Sequence, residues 1–111
     1  MATNQTNRAN WLDSMREEDL AFIKRFVLAS GSLKEMAKIY GITYPTVRLR
    51  LDRLIEKIKV VDSQRPMSEF ERLTRSLYAE GKIDVTTLKT LLTTHKKEMK
   101  GKNEESSNPG T

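Results

Sequence analysis

Cysteine is absent from the 111 residues. Neither a disulfide framework nor a thiolate metal site can therefore organise this chain, and a reducing compartment suits it. Histidine occurs once, as His95. A lone imidazole with no cysteine and no acid cluster beside it makes a poor metal site. No apolar run approaches the ~20 residues needed to cross a bilayer. The opening stretch MATNQTNRAN lacks the apolar segment of a signal sequence. A soluble, cytoplasmic protein with no membrane partner is the expectation. There is also no glycine-rich phosphate loop and no nucleophile–base pairing. Catalytic residues, metal ligands and cofactors are accordingly not expected, and the chain reads as a non-enzyme.

What is present is positive charge and helical periodicity. The net charge is +5, with 32% charged and 37% hydrophobic residues. Basic charge favours polyanions, nucleic acid foremost. The charge is uneven: residues 30–61 hold seven Lys or Arg against three Asp or Glu, whereas residues 11–29 hold three against four. Apolar residues recur at helical spacing, and no segment alternates as an exposed strand would, so the fold class is all-α. The length suits one small domain with an appendage.

The expected organisation is a disordered tail over 1–10, a helix-turn-helix domain over 11–60, a linker over 61–66, a C-terminal helical hairpin over 67–100, and a disordered tail over 101–111. The first helix should be capped by Ser14, with Glu17 completing a capping box. Its apolar residues Leu20, Phe22, Ile23, Phe26 and Val27 cover a face wider than one neighbour requires, and Gly31 can end it. Ser32 caps the next helix, whose stripe is Leu33, Met36, Ala37 and Tyr40. Gly41 ends that helix. Thr43 caps a third helix, with Pro45 in its first turn, where a missing N–H costs nothing. In the hairpin, Phe70, Leu73 and Leu77 line one helix and Glu80-Gly81-Lys82 makes the turn. Asp84 caps the last helix, whose stripe runs Val85, Leu88, Leu91, Leu92 and Met99. His95 falls on that face and reads as a packed or interface residue.

Small Ala37, Gly41 four residues later, Ile42 at the corner and Val47 six residues past the glycine make the spacing of a helix-turn-helix. At 100° per residue, Val47, Leu51, Leu54 and Ile58 point inward. The opposite face centres on Leu49 and takes in Pro45, Thr46, Arg53 and Glu56, with Arg48 and Arg50 on its flanks. The candidate DNA-binding residues are Tyr44, Pro45, Thr46, Arg48, Leu49, Arg50 and Arg53, from a recognition helix over about 44–59. Leu49 and Thr46 suit thymine methyls, and the arginines suit phosphate or guanine. Tyr44 sits where helix N-termini hold phosphates. Alternatives stand beside these readings. Arg50 can pair with Glu35, Leu49 can meet a protein partner, and Asp52 and Glu56 would repel phosphate.

Residues 32–58, SLKEMAKIYGITYPTVRLRLDRLIEKI, resemble the helix-turn-helix of sigma-factor region four and related response regulators. Residues 11–58 resemble more closely a family of uncharacterised small bacterial proteins grouped as a domain of unknown function. There GSLKEMAKIYGITYPTVRLRLDRLI is nearly the signature. The resemblance implies DNA contact by Thr46, Arg48, Leu49, Arg50 and Arg53. Many members of that family carry an N-terminal zinc ribbon, which a chain without cysteine lacks. The AEGKIDVTTLKTLL run resembles short helical hairpins at the ends of bacterial envelope and regulatory proteins. The expected function is a sequence-specific DNA-binding transcriptional regulator acting on double-stranded DNA as a homodimer. The alternative is an interaction adaptor against RNA polymerase or another regulator. The wide face of the first helix and the hairpin stripe can each form the dimer, or they can cover each other within one chain.

Overall fold

The computed structural model describes residues 10–63 and 65–106, with side chains over 11–63 and 65–102. Among the described residues there are six helices and no strand. They are α1 (Asn10–Asp13), α2 (Glu17–Leu28), α3 (Leu33–Tyr40), α4 (Tyr44–Asp62), α5 (Glu69–Ala79) and α6 (Val85–Ser106). Asn10, expected in the N-terminal tail, is thus helical, and the rest of that tail lies outside the described residues.

Helices α2, α3 and α4 close around Phe22, Leu33, Met36, Val47 and Leu54, with Met15 completing the cluster. Phe22, Met36 and Val47 have at most 1% of their surface exposed. Burying side chains of this size contributes about 1.5–3 kcal/mol each and is the main force holding the unit together. Ala37, Ile42, Leu51 and Ile58 pack against the cluster from its edges. Lys57 donates to Asp19 Oδ2 at 2.8 Å and ties α4 to α2 from outside.

The first helix starts later than expected. Ser14 does not cap it; its hydroxyl donates to the carbonyl of Trp11 at 2.8 Å. Arg16 is the extended residue before α2, and its N–H is taken by Asp19 Oδ2 at 3.0 Å. The short helix α1 uses up Ser14, so the acid three residues past Arg16 does the capping. At the other end of α2, Ser30 and Gly31 both turn left-handed, and Gly31 N–H reaches back to the Phe26 carbonyl. The wide apolar face of α2 is only half used: Leu20 and Val27 stay exposed.

Helix α4 reaches Asp62, two residues into the expected linker, because Val60 is buried and holds that last turn in place. Helix α5 then runs back along α4. Its buried residues are Thr74 and Tyr78, whereas Phe70 and Leu73 stay 40% and 59% exposed. The Phe70–Leu73–Leu77 stripe therefore does not face α4. Polar contacts choose the docked face instead: Arg72 with the Val60 carbonyl and Arg75 with Glu56. The turn has Gly81 at φ +81°, and Asp84 caps α6 by accepting the Thr87 N–H at 2.8 Å.

In α6 only Leu88 of the expected stripe is buried, and Val85 and Met99 are exposed. His95 is packed: its ring stacks on Phe70 at 4.7 Å and its Nε2 lies 2.9 Å from Ser68 Oγ. Helix α6 continues through residues 101–106, which were expected to be disordered. Lysine and glutamate are good helix formers, and elongating an existing helix adds one bond per residue fixed, so a single glycine there is tolerated. Residues 107–111 of that tail lie outside the described residues. The radius of gyration is 18.2 Å, against ~13 Å for a compact chain of this length. The excess comes from a two-helix arm attached to a small three-helix unit.

Candidate nucleic-acid interface

The turn between α3 and α4 is built by short-range chemistry. Ser32 Oγ accepts the Glu35 N–H at 3.1 Å and starts α3. Gly41 adopts φ +64°, which lets the Ile42 N–H return to the Ala37 carbonyl at 3.1 Å. That closes the last turn of α3 with a left-handed cap. Thr43 then accepts the Thr46 N–H, and its hydroxyl also meets the Thr46 hydroxyl at 2.8 Å. Pro45 occupies the first turn of α4. The result is a helix-turn-helix with α4 as its second helix.

The first two turns of α4 anchor Val47 in the core and expose their outward side chains. Tyr44, Pro45, Thr46, Arg48 and Leu49 are all exposed, Tyr44 by 52% and Leu49 by 38%. Arg48 pairs along the helix with Asp52 at 3.2 Å. Such an exposed pair is worth little and exchanges easily for another anion. On α3, Lys34 and Lys38 are exposed as well. In helix-turn-helix complexes the first helix crosses the backbone and the N-terminal residues of the second contact base edges. Sequence reasoning passed over these two lysines, although their i, i+4 spacing on α3 was visible.

Two of the expected DNA-facing arginines are occupied otherwise. Arg50 does not reach Glu35. Its guanidinium lies over the rings of Phe22 and Tyr40, at 5.1 and 4.8 Å. Those rings stack on each other, and Arg25 covers Tyr40 as well. Arg53 is not free on the outward face. It is half-buried, with its guanidinium 5.5 Å from the Tyr78 ring centre and its Nε shut away from solvent. Glu56, assigned to the same outward face, is buried in an ion pair with Arg75. The corrections at Arg53 and Glu56 have one cause. Helix α5 lies across the outward face of the second half of α4, and a helical wheel drawn for an isolated domain has no place for it. Arg72 and Arg75, one turn apart and opposite an acid on a basic helix, were the available signal.

The ion network at this seam is continuous. Glu71 accepts from Arg65 and from Arg75, the latter at 3.0 Å, and Arg75 continues to Glu56. Hydrogen bonding from Arg65, against the opposing effect of burial and with further help from Arg75, holds the Glu71 carboxyl below its ordinary range. Asp19 is also lowered: burial works against its ionisation, but Lys57 and the Arg16 N–H outweigh it.

Residues 15–61 match a family model. It is described as domain of unknown function (DUF2089)-HTH. The matched span covers α2, α3 and α4 up to their last turn and stops short of the α5–α6 hairpin. This segment is therefore similar to an uncharacterised helix-turn-helix family. Comparison with curated proteins and with solved structures gave no match. No helix among the described residues is long and apolar enough to cross a membrane.

Proposed function

We propose that this protein is a sequence-specific DNA-binding transcriptional regulator whose α4 enters the major groove by its first two turns. The observation that carries the reading is the bare row Tyr44, Pro45, Thr46, Arg48 and Leu49 at the tip of a capped helix-turn-helix. Thr46 and Leu49 suit thymine methyls, Arg48 suits guanine or phosphate, and Lys34 and Lys38 suit the flanking backbone. The resemblance of residues 32–58 to sigma-factor region four points the same way. Arg53 contributes less than the sequence suggested, because Tyr78 already holds it. Arg50 serves from the flank. The protein works without cofactor or catalysis in this reading.

One module of this size covers only about 600–1,000 Å² of DNA-facing surface, and pairing two copies is the usual remedy. The homodimer belongs to the proposal. Leu73 and Met99, exposed on the hairpin with the open edge of Phe70, supply an apolar surface for it. Fluorescence anisotropy against a pool of double-stranded promoter fragments, across a salt series, tests the DNA reading. Affinity should fall steeply with salt, since phosphate contacts release counterions. A flat or absent response sinks it. Sedimentation of the full chain tests the dimer.

A second reading rests on Val27, Leu28 and Ile39, exposed by 67%, 74% and 52%. These apolar side chains on α2 and α3 suit a protein partner, RNA polymerase or another regulator. Pull-down from nuclease-treated lysate separates the two readings, because an adaptor keeps its partner when DNA is gone.

A further inference from the structure

Beside the bare tip of α4, bounded by α2 and by the turn between α5 and α6, lies a cleft of about 530 Å³. That volume falls within the range of small-molecule sites. Four cations line it, Arg16, Arg50, Arg53 and Lys57, together with three acids, Glu18, Asp19 and Glu80. The acids are already engaged. Arg16 pairs with Glu18 and Asp19, Lys57 with Asp19, and Lys82 with Glu80. Arg50 and Arg53 differ from the other cations. Among the described residues neither makes an ion pair, and each is held by aromatic rings.

Stacking occupies the face of a guanidinium and leaves its edge N–H groups to hydrogen-bond. Gly81 contributes by having no side chain: a Cβ there would lie 3.2 Å from Arg53 Nη1. Arg53 Nε is buried without an acceptor, an arrangement that proteins generally avoid. Asp84 feels the charge of Arg53 only from a distance; two guanidiniums without a direct ion pair, one helical turn apart and lining one cleft, suit a dianion. A phosphate monoester carries about −1.5 to −2 charges at pH 7 and offers three acceptor oxygens, and arginine binds it in a two-pronged fashion. The apolar surface that Leu49 and Ala79 present to the cleft suits an organic body attached to that phosphate.

We propose that this cleft binds a small organic phosphate monoester through Arg50 and Arg53. Binding itself requires no DNA. The regulatory consequence rests on the DNA reading above: Thr46 and Leu49 belong to both the cleft and the bare tip, so an occupied cleft competes with DNA.

The test is a nuclear magnetic resonance titration of the isotope-labelled full chain with adenosine monophosphate, phenyl phosphate, adenosine and sodium sulfate in turn. Saturable shifts at the Arg50 and Arg53 side chains and the Gly81 amide are expected with monoesters and not with adenosine. A response to both monoesters marks a general site, and a response to adenosine monophosphate alone marks a nucleotide site; either supports the proposal. Arg53→Gln, with helicity checked by circular dichroism, should weaken binding at least about tenfold, and Arg50→Gln is the second variant. Sulfate acting as strongly as the monoesters, shifts confined to the lysines of α6, no saturable shift, or unchanged binding in both folded variants would each overturn it. In a second arm, adenosine monophosphate should displace labelled duplex from the wild-type chain. A positive titration with no DNA binding at all upholds the cleft and counts against the DNA reading alone.

Discussion

The two halves of α4 share one helix and one apolar stripe, yet they have opposite surroundings. From Tyr44 to Leu49 the outward face is bare; from Arg53 to Val60 it is covered by α5. In the first half an arginine meets solvent and a neighbouring aspartate. In the second, an arginine lies on a tyrosine ring and a glutamate is buried against another arginine. Side-chain type therefore did not decide which residues of α4 stay accessible. The docking of the hairpin decided it, and a polar seam fixed where the hairpin docks.

The comparison can be broken at several points. The largest effect is expected at Phe22, whose removal acts on both halves alike. Phe22→Ala empties a nearly inaccessible site and should cost about 3–5 kcal/mol, seen as loss of cooperative thermal unfolding for the whole helix-turn-helix. Arg75→Ala acts on the second half alone. It leaves Glu56 buried without its partner, a loss of roughly 3–5 kcal/mol for a fully buried pair. Arg75 keeps 24% of its side chain exposed, so about 2 kcal/mol is expected after allowing for solvent screening. Hydrogen exchange should then rise in α5 and α6 while α2 and α3 keep their protection. Equal loosening of both regions would mean that the hairpin is not separately docked.

The next effect concerns the proposed DNA surface. Arg48→Ala should weaken DNA binding by about 1–3 kcal/mol if it reads a base. Arg53→Ala should weaken it by less, since its guanidinium is engaged by Tyr78. The reverse ranking in anisotropy titrations would place the contact in the covered half. The smallest effect is that of acid. Glu71 and Asp19 are both depressed, from reference values of 4.5 and 3.8. Depressed carboxylates contribute stability that is complete above their unfolded values and is lost as pH falls through the lower folded ones. Stability should hold from neutrality to about pH 5 and decline below about pH 4. Chemical denaturation at stepped pH measures this, and Glu71→Gln should flatten the decline at the hairpin.

Much of the helix-turn-helix was legible because its signals are local. Ser32, Gly41, Thr43 and Pro45 act within four residues of themselves, through hydrogen bonds and allowed backbone angles that any chain with those residues shares. The inward set Val47, Leu51, Leu54 and Ile58 followed from helical period alone. The start of α2 was misplaced because two acceptable capping sites lie two residues apart, and only the packing of α1 chooses between them. The Glu35 pairing open to Arg50 does not form for a related reason: the choice between Glu35 and two aromatic rings depends on distances between helices.

By itself, then, the amino-acid order determined the helical type of the elements, the turn that joins α3 to α4, and which face of α4 is anchored. Each of these rests on interactions between near neighbours in the chain. Only the tertiary structure decided where the hairpin lies, why Phe70 and Leu73 stay bare while Thr74 and Tyr78 are covered, and which arginines of α4 remain available. Those outcomes depend on pairs such as Glu56–Arg75 and Arg53–Tyr78, 19 and 25 residues apart. Their partners are chosen by the fit of whole helices, a choice that periodicity along one helix does not encode.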